Sequence, residues 1–287
     1  MPSAIAECLA TVRYVDVSLE GARVGTLARM RGGAAAFEYA PEWLGSGFSI
    51  SPFSLPLRAG LFETSPDMPD GLFGVFRDSL PDDWGRLLQD RRLAELGVRP
   101  GSLSSLARLS LVGTSGLGAI EYAPAQVFEA ASDLVSDWDL LSRQCQDIVA
   151  ERETDALDAI YVRGSSSGGA RPKVMVDLDG EPWIVKFPAS MDGPDAGACE
   201  YRLALAAKAC GIEMPEVQLI PSKVCGGYFA CRRFDRQRGA DGTLCKVHMA
   251  SAAALLEVSP FDVCVLSSQS FAFYHLDLSG VPTKVFR

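Results

Sequence analysis

A loop rich in glycine and serine, followed by a hairpin pattern that ends in a lysine, is the feature that most constrains this fold. The loop spans residues 164–173 and reads GSSSGGARPK; we call it the glycine-rich loop. Strand patterns follow at residues 174–178 and 183–187, and the Asp179-Gly180 pair between them is typical of a tight turn. The sequence therefore predicts a hairpin that begins at the glycine-rich loop and carries Lys186 in its second strand.

The chemistry of this loop favours phosphate as its ligand. Small residues let the backbone come close to phosphate oxygens, and a lysine at the end of a strand supplies a fixed positive charge for them. In protein kinases a glycine-rich loop covers the phosphates of ATP and a strand lysine contacts them. We therefore predict the phosphate-binding half of a kinase-like nucleotide site.

The bulk composition is that of an acidic globular protein. The chain has 287 residues, of which 48% are hydrophobic and 22% charged, and its formal net charge is −9. This length predicts one large or two ordinary domains, with a core that needs no disulfide or metal. The negative charge argues against nucleic-acid binding through the whole surface, because phosphate neutralisation needs a basic face. A local basic patch or a DNA contact through a partner stays open, although the four arginines between residues 86 and 99 favour a solvated helix face.

The cysteines and the apolar segments indicate the compartment. Eight cysteines are scattered through apolar stretches, and no two of them have C-x-x-C spacing. This pattern is typical of reduced thiols in a cytosolic protein. The start of the chain lacks the pattern of a signal peptide, and no segment approaches the roughly 18 apolar residues of a membrane span. We expect a cytoplasmic protein with no membrane partner.

The order of elements predicts an α+β fold. Strand patterns occupy residues 14–19, 23–29 and 37–39, and helical patterns dominate from about residue 72. Helices are predicted at 84–95, at 102–111, within 123–153, and at 200–210 and 248–256, with antiparallel strands at 217–221 and 227–233. A second glycine cluster at 113–118 has no preceding strand and no closing lysine, so we interpret it as a tight helix–strand connection.

Short motifs in a fixed order resemble the HipA family, the kinase toxins of bacterial type II toxin–antitoxin systems. In the first half they are GTL at 25–27, FEY at 37–39, WL at 43–44, SLPL at 54–57, LPD at 80–82 with Arg86 after it, and GLGA at 116–119. In the second half they are GGARPK at 168–173, IVKFP at 184–188, EY at 200–201 and RFDR at 233–236. The resemblance runs from about residue 14 to about residue 248.

The resemblance implies four segments. Residues 1–125 resemble a small β-rich N-terminal subdomain of the family, and residues 126–159 form a helical connector. Residues 160–258 resemble a protein-kinase-like N-lobe with an ATP loop. Residues 259–287 form an atypical tail, where the helical C-lobe of the family is largely missing.

The resemblance also implies site residues and cofactors, namely ATP with Mg²⁺ in the full-length family. Ser166 would be the autophosphorylated loop serine, Lys186 would contact the phosphates, and Glu200 would pair with Lys186. The remaining ATP-binding residues are Gly168, Gly169, Ala170, Arg171 and Lys173 around the phosphates, and Arg232, Arg233 and Phe234 in the hinge next to adenine.

The same residues have plainer interpretations. Lys186 could be an edge-strand lysine with its head in water, and Glu200 could only favour a helix N-terminus. Ser166 could be an ordinary loop serine. Arg232 also stands where the family pattern leads us to expect an acidic residue.

The sequence after residue 260 departs from the family. We find there no catalytic-loop pattern and no metal-binding aspartate; Asp262 and Asp277 are its acids, and we interpret His275-Leu276-Asp277 as coincidence. Phosphoryl transfer needs a positioned carboxylate and metal. We therefore expect a C-terminally truncated, inactive chain without catalytic or metal-binding residues.

Two classes of function follow from the resemblance. The first is a serine/threonine protein kinase toxin by descent, whose family substrates include an aminoacyl-tRNA synthetase. The second is a non-catalytic module that binds a HipB-like helix-turn-helix antitoxin and reaches DNA only through it. A separately encoded C-terminal fragment that restores the enzyme is a third alternative.

Overall fold

The structure is a computed structural model that describes residues 4–65, 67–126, 128, 136–166 and 169–258 of the chain. These residues form two compact units that are interleaved in sequence. The first unit contains Ala4–Leu80, Ser102–Val127 and the described residues from Gln237 onward; the second contains Pro81–Gly101 and Phe128–Arg236. Both units mix helices with antiparallel sheet, so the predicted α+β class is confirmed.

In chain order the elements are α1 (Ala4–Thr11), β1 (Tyr14–Leu19), β2 (Ala22–Arg29), β3 (Ala35–Tyr39), α2 (Pro41–Ser46), β4 (Leu61–Glu63), α3 (Gly74–Arg77), α4 (Asp83–Glu95), α5 (Ser105–Val112), β5 (Ile120–Ala123), α6 (Trp138–Val149), α7 (Leu157–Gly164), β6 (Lys173–Leu178), β7 (Glu181–Lys186), α8 (Ala196–Ala209), β8 (Val217–Ile220), β9 (Tyr228–Arg232), β10 (Arg236–Arg238), β11 (Leu244–Lys246) and α9 (Ala252–Leu256). Short 3₁₀ turns lie at Pro69–Gly71 and Pro100–Ser102.

The first unit is built on a five-stranded antiparallel sheet in the order β4-β3-β2-β1-β5. Alternate residues of β1 are buried, and Val15 and Val17 of β1 and Leu27 of β2 have no exposed surface. This alternation places one face of the sheet in the core, as predicted for the early strands. The glycine cluster at 113–118 joins α5 to β5, which confirms its interpretation as a connection.

The second unit contains the predicted hairpin. Its sheet has the order β6-β7-β9-β8, with every neighbouring pair antiparallel. Asp179 and Gly180 join β6 to β7, and both have the positive φ that a tight hairpin turn of the primed type requires. The register places Lys173 opposite Lys186 and Val174 opposite Val185.

The two faces of this second sheet differ. Val174, Val185 and Ala230 are fully buried against a cluster that includes Trp84 of α4 and Ile160 of α7. Strand residues alternate between faces, so Lys186 and its partner Phe229 belong to the opposite face, where α8 packs against β8 and β9. The buried face supports the hairpin, and the face that carries Lys186 and α8 forms a site.

Some boundaries differ from the predicted ones. Helix α8 begins at Ala196 rather than at residue 200, and α9 begins at Ala252 rather than at 248, with Ser251 as its side-chain N-cap. Helices α1, α2 and α7 and strands β4, β10 and β11 are not in the prediction. Across the described ranges, none of the helices has both the length and the apolar character required to cross a bilayer. The tail at 259–287 lies outside the described residues.

Candidate functional site

Lys186 and Glu200 form an ion pair on the face of the second sheet that carries α8. Lys186 ends β7, and its Nζ donates a hydrogen bond to Oε1 of Glu200 in the second turn of α8. The Phe229 ring lies 5.2 Å from the same Nζ, a cation–π distance. Both charged side chains keep about a third of their surface exposed (30% and 33%), so their charges remain accessible to a ligand.

A cavity of about 410 Å³ opens beside this pair. Its charged lining residues are Arg171, Lys186, Asp192 and Glu200. Cys199 and Phe229 also line it. Helix α8 therefore forms one wall and the end of the glycine-rich loop another. Pockets of a few hundred Å³ with a few convergent polar groups are typical ligand sites.

Arg171 is fastened to the segment between β7 and α8. Its Nε and Nη2 each donate a hydrogen bond to Asp192, both at 2.8 Å, and Asp192 also accepts from the Ala189 N–H at 2.8 Å. The Arg171 hydrogen bond, and after it the Ala189 N–H, hold the pKa of Asp192 below its usual value. This two-point contact fixes where the glycine-rich loop ends.

Gly169 is held from two sides. Its N–H donates to Oδ2 of Asp82 at 2.7 Å, and its carbonyl accepts from Nζ of Lys173 at 2.8 Å. The φ of Gly169 is +89°, and an added Cβ would lie 3.1 Å from Nζ of Lys173. Glycine is therefore the residue that this position can accept without strain.

Lys173 is a buried lysine next to a second lysine. Only 5% of its surface is exposed, and it lies directly opposite Lys186 in the hairpin, so the two side chains share one face. Burial first, and then the charge of Lys186, lower the pKa of Lys173 to about 8. Two amines side by side make this region favourable for an anion.

The predicted adenine-binding residues do not line the cavity. Arg232 lies opposite Trp183, three residues from Lys186 and so about 10 Å along β7. Its guanidinium contacts Glu181 at 2.5 Å and Glu216 at 3.9 Å. Phe234 is half-buried just after β9.

The side chain of Arg233 belongs to the interior. It is 8% exposed and donates two hydrogen bonds to Asp235, at 2.9 and 2.7 Å. Its backbone N–H donates to the Pro182 carbonyl at 2.8 Å. The guanidinium of Arg233 is thus engaged in a buried ion pair and its backbone N–H in a bond to Pro182, and its part in ATP binding stays a prediction.

Three predicted loop positions have different surroundings. Ser166 is buried, with 7% of its surface exposed, just after α7. Ala170 is exposed. Gly168 lies outside the described residues.

Two acids at the site were missed by the sequence reasoning. Asp82 was noticed only as part of the LPD motif, and nothing in the sequence links Asp192 to Arg171. In the part of the chain that the structure describes, no group of three or more His, Cys, Asp or Glu side chains could hold a metal ion.

Comparison with known proteins identifies similar domains on both halves of the chain. Residues 15–123 match the family model of the HipA N-terminal domain, and residues 165–275 match that of the HipA-like C-terminal domain. The chain is also 28% identical over 274 residues to a protein of Sinorhizobium fredii (strain NBRC 101917 / NGR234) named "Putative kinase Y4mE". That match covers 87% of this chain and 60% of the relative, so the chain spans less than two thirds of the relative's length.

Proposed function

A HipA N-terminal domain and a HipA-like C-terminal domain make up most of this chain, and on that premise we propose that its second unit binds ATP as the N-lobe of a HipA-like serine/threonine protein kinase. The observation that carries the proposal is the Lys186–Glu200 ion pair beside the glycine-rich loop. In protein kinases a strand lysine contacts the phosphates while it pairs with a helix glutamate. A hairpin that joins the loop to the lysine, with a helix between the second and third strands, supports the same assignment.

The proposed phosphate site consists of three cations and one backbone amide. Lys173 and Lys186 lie opposite each other, and Arg171 lines the same cavity as Lys186. Gly169 has an N–H of the kind that can donate to a phosphate oxygen. Fixed positive charges hold a polyphosphate with little reorganisation, because their positions are already set by the loop, the strand and the Asp192 contact.

Magnesium does not fit the described residues of this cavity. The two acids that line it, Asp192 and Glu200, are each engaged by a cation. Mg²⁺ prefers carboxylates that are free to enter an octahedral shell. We derive no step through a metal.

Phosphoryl transfer needs a carboxylate that accepts the proton of the attacking hydroxyl. Because both acids of the cavity are ion-paired, we expect this polypeptide to bind ATP without phosphorylating protein by itself. Incubation with labelled ATP and a candidate substrate measures this. Label transfer that Lys186→Met abolishes would contradict the expected inactivity.

ATP binding itself is tested by calorimetric titration of the whole chain. Lys186→Met removes one charged phosphate contact, worth about 1.5–3 kcal/mol, so ATP should bind about 10- to 100-fold more weakly. Lys208→Met is the matched control, because Lys208 is an exposed lysine in the last turn of α8. An equal loss of ATP affinity in both variants, or no loss in either, would contradict the proposal.

For the first unit we propose the partner of the HipA N-terminal domain, a HipB-like helix-turn-helix antitoxin. The match over residues 15–123 supports this second function. Co-purification with the small DNA-binding protein encoded next to this gene tests it. A complex that shifts promoter DNA without ATP turnover would favour the regulatory module, and no complex would contradict it. A toxin role through phosphorylation of an aminoacyl-tRNA synthetase would need a catalytic carboxylate from a second polypeptide, because we expect this one to bind ATP without transferring phosphate to protein.

A further inference from the structure

The hydrogen-bond partner of Asp82 is unusual for a residue in its position. It is the N-cap residue of α4, a position where aspartate normally accepts a hydrogen bond from an N–H of its own helix. Here the side chain makes no capping bond and reaches Gly169, 87 residues away, at 2.7 Å. The carboxylate therefore accepts a hydrogen bond from the glycine-rich loop instead of capping α4, the helix that it precedes.

The surroundings of this carboxylate are those of an anion site. Gly169 presents its N–H to the carboxylate and its carbonyl to Nζ of Lys173. The charge of Asp82 favours the protonated form of Lys173, which places the carboxylate within electrostatic reach of that buried amine. A carboxylate and a phosphate oxygen compete for the same kind of donor.

We infer that the Asp82 carboxylate occupies the place of a nucleotide phosphate on the glycine-rich loop, so that it must be displaced before the loop binds ATP. The inference rests on the proposed function, since it names the residue that sets the affinity of that same site. Asp82 is then a positioning residue, which holds Gly169 in the free protein and lowers the apparent affinity for polyphosphate.

The expected change in ATP affinity depends on the fraction of molecules in which Asp82 does not occupy the glycine-rich loop. Apparent affinity falls in proportion to the population of the binding-competent state. A loop that is about 90% occupied by Asp82 binds ATP about 10-fold more weakly than a loop that is always free. Removal of the carboxylate should therefore strengthen ATP binding about 10-fold.

The test compares the whole chain with Asp82→Ala, Asp82→Asn and the control Asp83→Ala. Asp83 is the next residue, is equally acidic and lies exposed in the first turn of α4, so its removal changes the net charge by the same amount. Titrations with ATP, inorganic triphosphate and adenosine give three dissociation constants for each protein. Hydrogen exchange of the peptide that contains Gly169 is measured without any ligand.

The inference predicts tighter ATP and triphosphate binding by about 10-fold in Asp82→Ala and by less in Asp82→Asn, which keeps an acceptor for the Gly169 N–H. Adenosine affinity should stay unchanged, and Gly169 should exchange faster in Asp82→Ala than in Asp83→Ala. Equal or weaker ATP binding in Asp82→Ala would overturn the inference while the wild-type affinity still supports the proposed function. Faster exchange with no ATP binding in any protein would overturn the proposed function, and the competition with it.

Discussion

Gly164 is the point where the support of the site can be tested by adding one methyl group. It is the last residue of α7 and is buried against β6. A Cβ at this position would lie 2.9 Å from Cδ1 of Leu88, 2.9 Å from the Lys173 carbonyl oxygen and 3.1 Å from Nε1 of Trp84. That carbonyl and that indole are joined by a hydrogen bond of 2.8 Å. Gly164→Ala therefore disrupts the hydrogen bond between Trp84 and Lys173, which holds the start of β6.

Three contributions change the free energy of unfolding in Gly164→Ala. Overpacking a filled core costs about 1–3 kcal/mol, and loss of the buried Trp84 hydrogen bond adds about 1 kcal/mol or more. The better helix propensity of alanine returns at most about 1 kcal/mol. The free energy of unfolding should fall by about 2 kcal/mol, and the shifted carbonyl should also displace Lys173.

Urea unfolding followed by tryptophan fluorescence measures this change, because Trp84 and Trp183 are buried in the second unit. With a slope of roughly 2 kcal/mol per molar urea, the midpoint should fall by about 1 M. Gly193→Ala is the matched control, since a Cβ there meets no atom within 4 Å. A Gly164→Ala protein as stable as Gly193→Ala would refute this account of the packing beneath β6.

Three charged residues of the second unit give further expected outcomes. The pKa of Lys173 is about 8 in the folded chain against an ordinary 10.5, so the unfolded chain binds more protons between these values. The free energy of unfolding should rise with pH across that window, and Lys173→Met should lose this rise in urea titrations at several pH values. The pKa of Asp192 lies below its ordinary 3.8, so its stabilising contribution is present above that pH and is lost as the pH falls through the lower folded value; Asp192→Asn should remove this part of the acid unfolding curve. Arg233→Met removes the bidentate partner of the buried Asp235, which keeps its contact of 2.6 Å with Arg236, so the loss in urea unfolding should be about 1–3 kcal/mol; no loss would show that the Arg233–Asp235 pair does not stabilise the unit.

Sequence patterns predicted the helices and strands that are determined by interactions between neighbouring residues. The hairpin of β6 and β7 was placed within two residues because strand alternation and an Asp-Gly turn agree over a short span. The start of α8 was missed by four residues, since Ala196 follows Asp195 without a side-chain capping bond. Strands β10 and β11 escaped notice because each has three residues, too few to show a two-residue alternation.

The site depends on contacts that no local pattern contains. Trp84 donates to Lys173 across 89 residues, and Asp82 accepts from Gly169 across 87. The sequence identified Lys186 and Glu200 as a candidate pair through a family resemblance, and the structure brings their side chains together. It could not show that the guanidinium of Arg233 turns into the interior, because burial is set by the whole sheet and not by neighbours in sequence.

The central claim is that Lys173 and Lys186 lie where the phosphates of ATP bind. An acyl-phosphate derivative of ATP transfers its acyl group to a lysine amine beside the bound phosphates, and mass spectrometry of the digested chain locates the label. The account predicts acylation of Lys186 and Lys173, the latter favoured at pH 8 by its lowered pKa, with excess ATP suppressing both. Label that falls instead on the exposed Lys208, and that ATP does not suppress, would contradict it.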